Sequence, residues 1–429
     1  MKTYKYPNKE SWKELCTRAE FNQKDLNSTV RSILDNVKAN GDQALFDYTM
    51  QFDQLKLENL QVSEEAIKQA AETIAPALKK AIRAAYENIY CFHKAQQIKE
   101  QTIQTSPGVK CWRKAVAIER VGLYIPGGEA PLFSTILMLG IPALIAGCKE
   151  IVLCSPVKNK NGLDPAILYT AKLLGIDKIF NVGGAQAIAA MAYGTDSIPR
   201  VYKIFGPGNQ FVTKAKELVQ QEGIAIDMPA GPSELLVIAD QTAVPAFVAS
   251  DLLSQAEHGK DSQVILLSND ENTITECLKE VQIQVKNLPR KKVAAKALIN
   301  SKAILLNNLE ECMDFSNEYA PEHLIIASEK ASDISENIVN AGSVFLGNYS
   351  CESAGDYASG TNHTLPTNGY AKNYSGVSLD SFTKKITFQQ IDKEGLLNIG
   401  NTIELMAEAE QLMAHKNAVS IRLKAINNE

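Results

Sequence analysis

Apolar residues in the first hundred positions recur at the three- and four-residue spacing of amphipathic helices. The pattern predicts one helix over 28–48 and a second from 64 to about 97, which Pro76 is expected to interrupt because proline breaks the helical hydrogen-bond ladder. His93 falls in the second stretch, at helical spacing from Tyr86 and Tyr90, and is interpreted as a structural or surface histidine. This region carries no obvious chemistry.

From residue 121 onward, short runs rich in β-branched and other apolar residues alternate with helical segments. That alternation is typical of parallel sheets built from βαβ units. Asp164 followed by Pro165 marks the start of one such helix. Two sets of strands are predicted: 151–154, 178–182, 201–205 and 224–227 in the first, and 235–238, 264–267, 303–306, 324–326 and 344–346 in the second. The expected fold class is therefore α/β, with two parallel-sheet domains.

The longest apolar stretch, 132–148, is predicted to be a buried helix. Gly140 and Pro142 interrupt it, and Lys149 and Glu150 end it short of the roughly 20 residues of a membrane span.

After residue 378 the pattern becomes a short extended segment followed by a helix over 402–415. This tail is too small to form its own core, so it needs something to pack on, in this subunit or in a neighbour. A chain of 429 residues exceeds the size of a single core, and about two to four domains are expected.

Composition narrows the class of protein. The chain is 45% hydrophobic and 22% charged, as in ordinary globular enzymes, and its net charge of −5 argues against nucleic-acid binding. The polar residues 1–15 contain no apolar signal segment, and the eight cysteines form no C-x-x-C pair. A cytoplasmic protein with reduced thiols, without a disulfide framework or a zinc finger, is therefore expected.

Histidine is scarce in this chain: five occur in 429 residues, and four lie within polar clusters of the C-terminal half. Imidazole is the commonest metal ligand and titrates near neutrality, so the clusters predict a metal site, a proton relay or both. Gln255 and His258 would share one helical face and reach one ion, unless His258 merely meets the free carbonyls of a helix end. Glu322 and His323, directly before a strand, could serve two separate proton transfers or form a solvated acidic turn.

A further group of polar residues lies nearer the C-terminus. Segment 347–367 contains little that could pack a core, which indicates a functional loop, and Asp356 is its best metal ligand. Glu410 and His415, five residues apart on the predicted terminal helix, would point in diverging directions and could flank a ligand.

Three glycine-rich turns follow strands of the first predicted set, at 122–128, 183–186 and 206–209. A strand, a glycine turn and a helix in succession offer backbone N–H groups to phosphate. None of the three matches G-x-G-x-x-G, so the standard dinucleotide fingerprint is absent, and tight connections without a ligand would look similar.

Long motifs in sequential order point to one family. The chain resembles histidinol dehydrogenase from about residue 30 to near its end, in segments 121–128, 133–135, 181–186, 205–209, 227–234, 251–259, 321–324, 352–363 and 414–419. Cys351 stands where proline is common in the family, and Ala320 replaces a frequent glycine. Neither change removes a functional group.

The resemblance implies oxidation of L-histidinol through L-histidinal to L-histidine, the last step of histidine biosynthesis, with two NAD reduced in succession. It implies one Zn²⁺ per subunit, held by Gln255, His258, Asp356 and His415. It also implies an intertwined homodimer, in which Glu410 and His415 of the tail complete the partner's site. That arrangement would explain a tail with no core of its own.

The resemblance also implies a role for each remaining candidate. His323 would accept the hydroxyl proton as hydride leaves, and Glu322 would then activate water for the second oxidation. The implied NAD contacts are Tyr124, Gln186 and Asn209. The implied substrate contacts are Ser233, Gln255, His258, His323, Asp356, His363, Glu410 and His415, with Ser134 a further candidate.

The family fold implies two Rossmann-like domains, one of which is discontinuous. The expected division is a small helical N-terminal segment 1–22, a domain of 23–120 and 236–377 with the zinc and catalytic residues, an NAD-binding domain 121–235 and a helical dimerisation tail 378–429.

Three rival interpretations stay open from the residues alone. A zinc hydrolase could use the same histidines, carboxylates and adjacent base. A non-catalytic, zinc-stabilised α/β binding protein could use the metal alone. A covalent thiol intermediate is the rival mechanism for aldehyde oxidation, although Cys148 and Cys154 are interpreted as core residues.

Overall fold

The structure, a computed structural model, describes residues 1–18, 23–127, 131–157, 159, 162–229 and 231–428. Gly128 and Ala230 of the predicted motifs, and residues 19–22 of the predicted N-terminal segment, lie outside the described residues. The chain forms two compact units. The first consists of Met1–Ala95 and Ile118–Phe382, and the second of Gln96–Ala117 and Thr383–Glu429.

Strands and helices alternate along most of the first unit. The strands of the two units are β1 (Lys2–Lys5), β2 (Ile103–Ser106), β3 (Val109–Ala117), β4 (Arg120–Tyr124), β5 (Glu150–Cys154), β6 (Lys178–Phe180), β7 (Lys203–Phe205), β8 (Ala225–Ile226), β9 (Glu234–Ala239), β10 (Gln263–Ser268), β11 (Lys302–Leu305), β12 (His323–Ala327), β13 (Ser343–Leu346) and β14 (Thr383–Ile391). The helices are α1 (Trp12–Leu15), α2 (Gln23–Tyr48), α3 (Glu64–Thr73), α4 (Pro76–Lys94), α5 (Phe133–Ala146), α6 (Pro165–Leu173), α7 (Gly184–Tyr193), α8 (Gln210–Gln221), α9 (Pro245–Ala256), α10 (Glu271–Gln284), α11 (Lys291–Ile299), α12 (Leu309–Tyr319), α13 (Ala331–Ser335), α14 (Glu352–Tyr357), α15 (Lys393–Ala409) and α16 (Met413–Asn427).

The four strands of the first predicted set, together with β4, which was not in that set, form a five-stranded parallel sheet in the order β6-β5-β4-β7-β8. In sequence terms this is 3-2-1-4-5, so the winding direction reverses between β4 and β7. Such a reversal opens a crevice at the carboxyl ends of the two strands, which is where doubly wound sheets bind ligands. Tyr124 is the last residue of β4, at this carboxyl end.

The second predicted set forms a six-stranded parallel sheet, in the order β1-β11-β10-β9-β12-β13. Leaving out β1, its order is again 3-2-1-4-5. Strand β9 is buried along its whole length, as expected where helices cover both faces. Strand β1 was not predicted, because four alternating, mostly polar residues give no signal before the edge of β11 is available to pair with.

Most predicted helices of the first unit are confirmed. Pro76 begins α4 and so separates it from α3, and α6 begins after the Asp164 cap with Pro165 in its first turn. The apolar stretch forms α5, which is buried from Ser134 to Ala143 and ends at Gly147 with a positive φ of 88°. Among the described helices, none is long and apolar enough to cross a membrane.

The second unit combines a three-stranded antiparallel sheet, β14-β3-β2, with α15 and α16, which pack on each other. The single helix predicted over 402–415 is wrong. The chain breaks between α15 and α16 at Gln411, whose φ is 60°, and Leu412 N–H donates back to the carbonyl of Ala407. Glu410 and His415 therefore lie on either side of a turn rather than on one helix.

Candidate active site

A cavity of about 910 Å³ opens in the first unit. One wall is the turn 206–209 that follows β7, and other parts are formed by Ser233, His258, Glu322 and His363. The cavity therefore brings predicted residues from both parallel sheets to one place.

Glu322 and His323 lie at the amino end of β12, beside the amino end of β9. The main-chain N–H of Glu234 donates to the Glu322 carboxylate at 2.8 Å, and the Glu234 carbonyl oxygen lies 3.3 Å from His323 Nδ1. His323 Nδ1 is 3.7 Å from Glu322 Oε2, too far for a good hydrogen bond, so the two side chains use separate partners. With Nδ1 as the donor to that carbonyl, Nε2 is left as the acceptor.

Segment 347–367 was predicted to be an irregular loop, but part of it forms the helix α14. That helix places Glu352 and Asp356 four residues apart, hence on one face. Ligand atoms of His258, Glu352 and Asp356 all lie within 4.8 Å of one another. One imidazole nitrogen and two carboxylate oxygens at this separation can surround a single divalent cation.

Gln255 lies in the last turn of α9, and His258 follows just after the helix ends. The shared helical face predicted for them is therefore only partly present, because His258 is outside the regular helix. When the Gln255 amide is oriented to satisfy its surroundings, its nitrogen donates to Glu352 and its oxygen accepts from Glu234 N–H at 3.1 Å. Gln255 thus adjoins both the carboxylate cluster and the start of β9.

His363 is held between α5 and α14. Its Nε2 lies 3.1 Å from Thr135 Oγ1, and its Nδ1 lies 2.9 Å from the carbonyl oxygen of Asp356. His93 is fully buried, and its Nε2 lies 3.3 Å from the amide nitrogen of Asn362, the residue before His363. His93 is therefore structural, as predicted, yet it supports the segment that carries His363.

The two candidate bases have strongly shifted pKa values. Burial raises the pKa of Glu322 to about 8, against a smaller lowering by His323 and by the Glu234 N–H. Burial lowers the pKa of His323, but the surrounding carboxylates of Glu352, Glu322 and Asp356 outweigh it and raise the pKa to about 10. Without a cation in the cluster, His323 therefore favours its protonated form.

The candidate NAD contacts lie at the carboxyl edge of the five-stranded sheet. The Tyr124 hydroxyl accepts from Gly184 N–H at 3.0 Å, and Gln186, one turn into α7, is buried. Asn209 caps α8 by accepting from the N–H groups of Phe211 and Val212. These contacts fix the starts of α7 and α8 at this edge of the sheet.

Lys216 and Asp227 hold the turn 206–209 in place through Gly206. Gly206 donates its N–H to Asp227 at 2.8 Å and accepts from Lys216 Nζ at 2.9 Å, and Lys216 and Asp227 form a buried ion pair. Gly206 has a φ of 129°, and a Cβ there would collide with the main chain of Tyr124. Only glycine fits this position, which ties the turn to the end of β4.

Two predicted residues, Glu410 and His415, belong to the second unit, where both side chains are exposed. Three residues near the cavity received no role from the sequence: Glu352, Glu234 and Thr135. Glu352 carried a usable signal, since it precedes Asp356 by one helical turn. Glu234 and Thr135 carried none, because they act through contacts that the sheet and α5 create.

Comparison with known proteins decides the family. The model of the histidinol dehydrogenase family matches residues 16–423. The chain belongs to the histidinol dehydrogenase family. This confirms the predicted family and, with it, the expectation of an NAD-dependent oxidoreductase.

Relatives in the histidinol dehydrogenase family are similar over nearly their whole length. The histidinol dehydrogenase of Bacteroides thetaiotaomicron is 57% identical over 426 residues, 99% of this chain and 100% of its own. That of Shigella sonnei is 54% identical over 403 residues, 94% of this chain and 92% of its own. The crystal structure of histidinol dehydrogenase from Elizabethkingia anophelis superposes with a TM-score of 0.98 at 57% identity, covering 100% of this chain and 99% of that one.

Proposed function

We propose that the protein oxidises L-histidinol to L-histidine in two steps, with L-histidinal between them and one NAD reduced in each. One observation carries the proposal. Two buried bases, Glu322 and His323, lie side by side on the main chain of Glu234, next to a cluster of possible metal ligands. A zinc hydrolase needs one base at its metal, whereas a double oxidation has two distinct proton transfers to perform.

The first oxidation uses His323. Its Nε2 accepts the proton of the substrate hydroxyl while the carbon gives a hydride to NAD⁺, which leaves histidinal and NADH. Because Nδ1 faces the Glu234 carbonyl, the neutral ring would carry its proton on Nδ1 and leave Nε2 as the acceptor that this step needs.

The second oxidation uses Glu322. Its carboxylate takes a proton from water as the oxygen adds to the aldehyde carbon, and the resulting diol gives its hydride to a second NAD⁺. Loss of the remaining protons yields the carboxylate of histidine. Both bases must reach the same carbon, and their shared attachment to Glu234 makes that possible.

The residues near the bases suit a zinc ion. We assign Gln255, His258 and Asp356 of one subunit and His415 of the partner subunit as its ligands, a mixed nitrogen and oxygen set that this borderline metal accepts. Glu352 lies close enough to be a competing or supporting ligand. When bound, the ion would fix the substrate's imidazole and amine, and its charge would oppose the protonated form of His323.

The other substrate and cofactor contacts follow from the same assignment. Ser233 and His363 line the cavity and would contact histidinol. Tyr124, Gln186 and Asn209 would contact NAD, at the edge where the five-stranded sheet reverses its winding. In this assignment residues 121–235 are the NAD domain, and 23–120 with 236–377 are the domain of the bases and zinc.

The second unit would complete the site of a partner subunit in an intertwined homodimer. Glu410 and His415 are exposed in the single chain, available to another molecule. Large apolar side chains near them are exposed as well, namely Leu405, Met406, Leu412 and Met413. Apolar side chains grouped in this way mark surfaces that bind other proteins.

The test is the absorbance of NADH on mixing the protein with histidinol and NAD. The expected result is two NADH for each histidinol consumed, lost after chelation and regained with zinc. A hydrolase or a non-catalytic binding protein would produce no NADH, and one NADH per histidinol would contradict the second step.

A further inference from the structure

Arg18 forms an unusually complete set of contacts for an arginine near a chain terminus. Its Nε and Nη2 donate to the two carboxylate oxygens of Glu234 at 2.5 and 2.9 Å. Nη2 also donates to the carbonyl oxygen of Tyr319 at 2.8 Å, and the guanidinium lies 3.9 Å from the centre of the Tyr319 ring. The planar guanidinium is suited to such combined bidentate and stacked contacts, which lysine cannot reproduce.

These partners lie on the two chain segments that carry the bases. Glu234 begins β9, and its main-chain N–H and carbonyl hold Glu322 and His323. Tyr319 ends α12, only three residues before Glu322, and the intervening Ala320 has a positive φ of 54°. The Arg18 guanidinium therefore links the residues just before β12 to the first residue of β9.

The Glu234 carboxylate is surrounded by hydrogen-bond donors. Burial raises its pKa, and the donors oppose that shift: both of its oxygens accept from Arg18, and Asn368 N–H donates to it at 2.8 Å. A carboxyl surrounded by donors at both oxygens is stabilised as the anion. The pair is thus a fixed, charge-assisted junction.

We propose that Arg18 is a positioning residue for both oxidation steps, which clamps Glu234 and the Tyr319 carbonyl so that Glu322 and His323 point at one carbon. The proposal rests on the function proposed above. Arg18, whose side chain also lines the cavity, would act on the bases through Glu234 and the Tyr319 carbonyl. Its loss would leave the bases chemically intact but displaced, and small displacements of catalytic groups have large effects on rate.

The test compares Arg18→Lys with Arg18→Met, and uses Arg31→Met as a matched control. Arg31 also pairs with a glutamate, Glu222 at 2.6 Å, but on the surface. Each variant is assayed for kcat and KM with histidinol, for the rate with histidinal, for zinc content and for circular dichroism. All enzymes are assayed as zinc-loaded dimers at equal folded concentration.

For Arg18→Lys we expect kcat to fall about tenfold with histidinol and with histidinal alike, with the KM for NAD and the zinc content within about twofold of the parent. The kcat of Arg18→Met should fall about a hundredfold with both substrates, and the kcat of Arg31→Met should equal that of the parent. A parental kcat in Arg18→Lys would overturn the proposal, as would a loss that excess zinc restores. If Arg18→Met does not fold, Arg18→Lys alone decides, and a parent protein inactive on histidinol would refute the proposed function instead.

Discussion

The two parallel sheets of the first unit share one strand order but present their candidate groups at opposite ends. In the five-stranded sheet, Tyr124 and Asn209 follow the carboxyl ends of β4 and β7. In the six-stranded sheet, Ser233 and Glu322 precede the amino ends of β9 and β12. With the proposed site residues, the five-stranded sheet would follow the usual rule for doubly wound folds, and the six-stranded sheet would not.

At the carboxyl edge of the six-stranded sheet, polar groups form a hydrogen-bonded cluster. Asp240, at the end of β9, accepts from the Ser328 hydroxyl at 2.6 Å and from both the N–H and hydroxyl of Thr242, at 2.8 and 2.6 Å. Asn348 in turn donates to the Thr242 carbonyl at 3.0 Å. These polar groups are thus hydrogen-bonded to one another.

Because the two sheets share this strand order but carry their candidate residues at opposite ends, strand order alone does not predict where those residues lie. A cavity forms where the carboxyl edge of one sheet and the amino edge of the other supply its walls. Hydride transfer between a cofactor on one sheet and a substrate on the other would require this pairing of unlike edges.

The largest effects should come from the amino edge of the six-stranded sheet. His323→Asn removes the first base, and we expect a loss of about 10²- to 10⁴-fold in histidinol oxidation, with histidinal oxidation much less affected. Glu322→Gln should give the reverse pattern. Single-turnover NADH formation from each substrate separates the two steps, and equal losses in both variants would contradict the division of roles.

The rate of the second step should depend on pH through the ionisation of Glu322. Glu322 accepts a proton only as the anion, and its pKa is raised to about 8. The rate of histidinal oxidation should therefore rise about tenfold per unit below pH 8 and level off above it. A pH-rate profile measured at saturating NAD checks this, and Glu322→Gln should lack the rise.

The buried Lys216–Asp227 pair at the carboxyl edge of the five-stranded sheet should affect NAD binding rather than histidinol binding. Lys216→Met removes the buried partner of Asp227 and of the Gly206 carbonyl, so turn 206–209 should loosen. We expect the KM for NAD to rise about tenfold with little change in histidinol binding, at a cost in folding of about 3–5 kcal/mol. Lys68→Met, from an exposed pair with Glu64, is the control. A change confined to histidinol would contradict this division between the edges.

The carboxyl edge of the six-stranded sheet should matter for stability alone. Asp240→Asn removes an acceptor for Ser328 and Thr242, and we expect the free energy of unfolding to fall by about 1–3 kcal/mol. The kcat of the folded fraction should stay within about twofold. Denaturant titration beside steady-state assays measures both quantities, and a tenfold loss of kcat at unchanged stability would mean that this edge is functional.

Some features of the candidate site could be predicted from the sequence, and others could not. Residue type and spacing identified the glycine turns, the Glu-His pair and Asp356 as candidates, and left a purely structural interpretation open for the turns and the pair. The junction of Arg18 with Glu234 was not, since 216 positions separate the partners and only the parallel pairing of β9 with β12 brings them to the bases. Helix α14 was missed because Gly355 and the polar neighbours of Glu352 conceal a single helical turn.

The smallest effect is expected from two thiols: Cys154, buried in β5, and Cys148, half-buried between α5 and β5. If substituting either one has no effect on the reaction, a covalent route through it is excluded. Burial raises the pKa of Cys148 to about 12 and that of Cys154 further, so neither is a thiolate at neutral pH. Cys148→Ala and Cys154→Ala should each keep both oxidation steps. Loss of histidinal oxidation in a folded variant, by the NADH assay, would refute water activation by Glu322 and would move the second step to the other sheet.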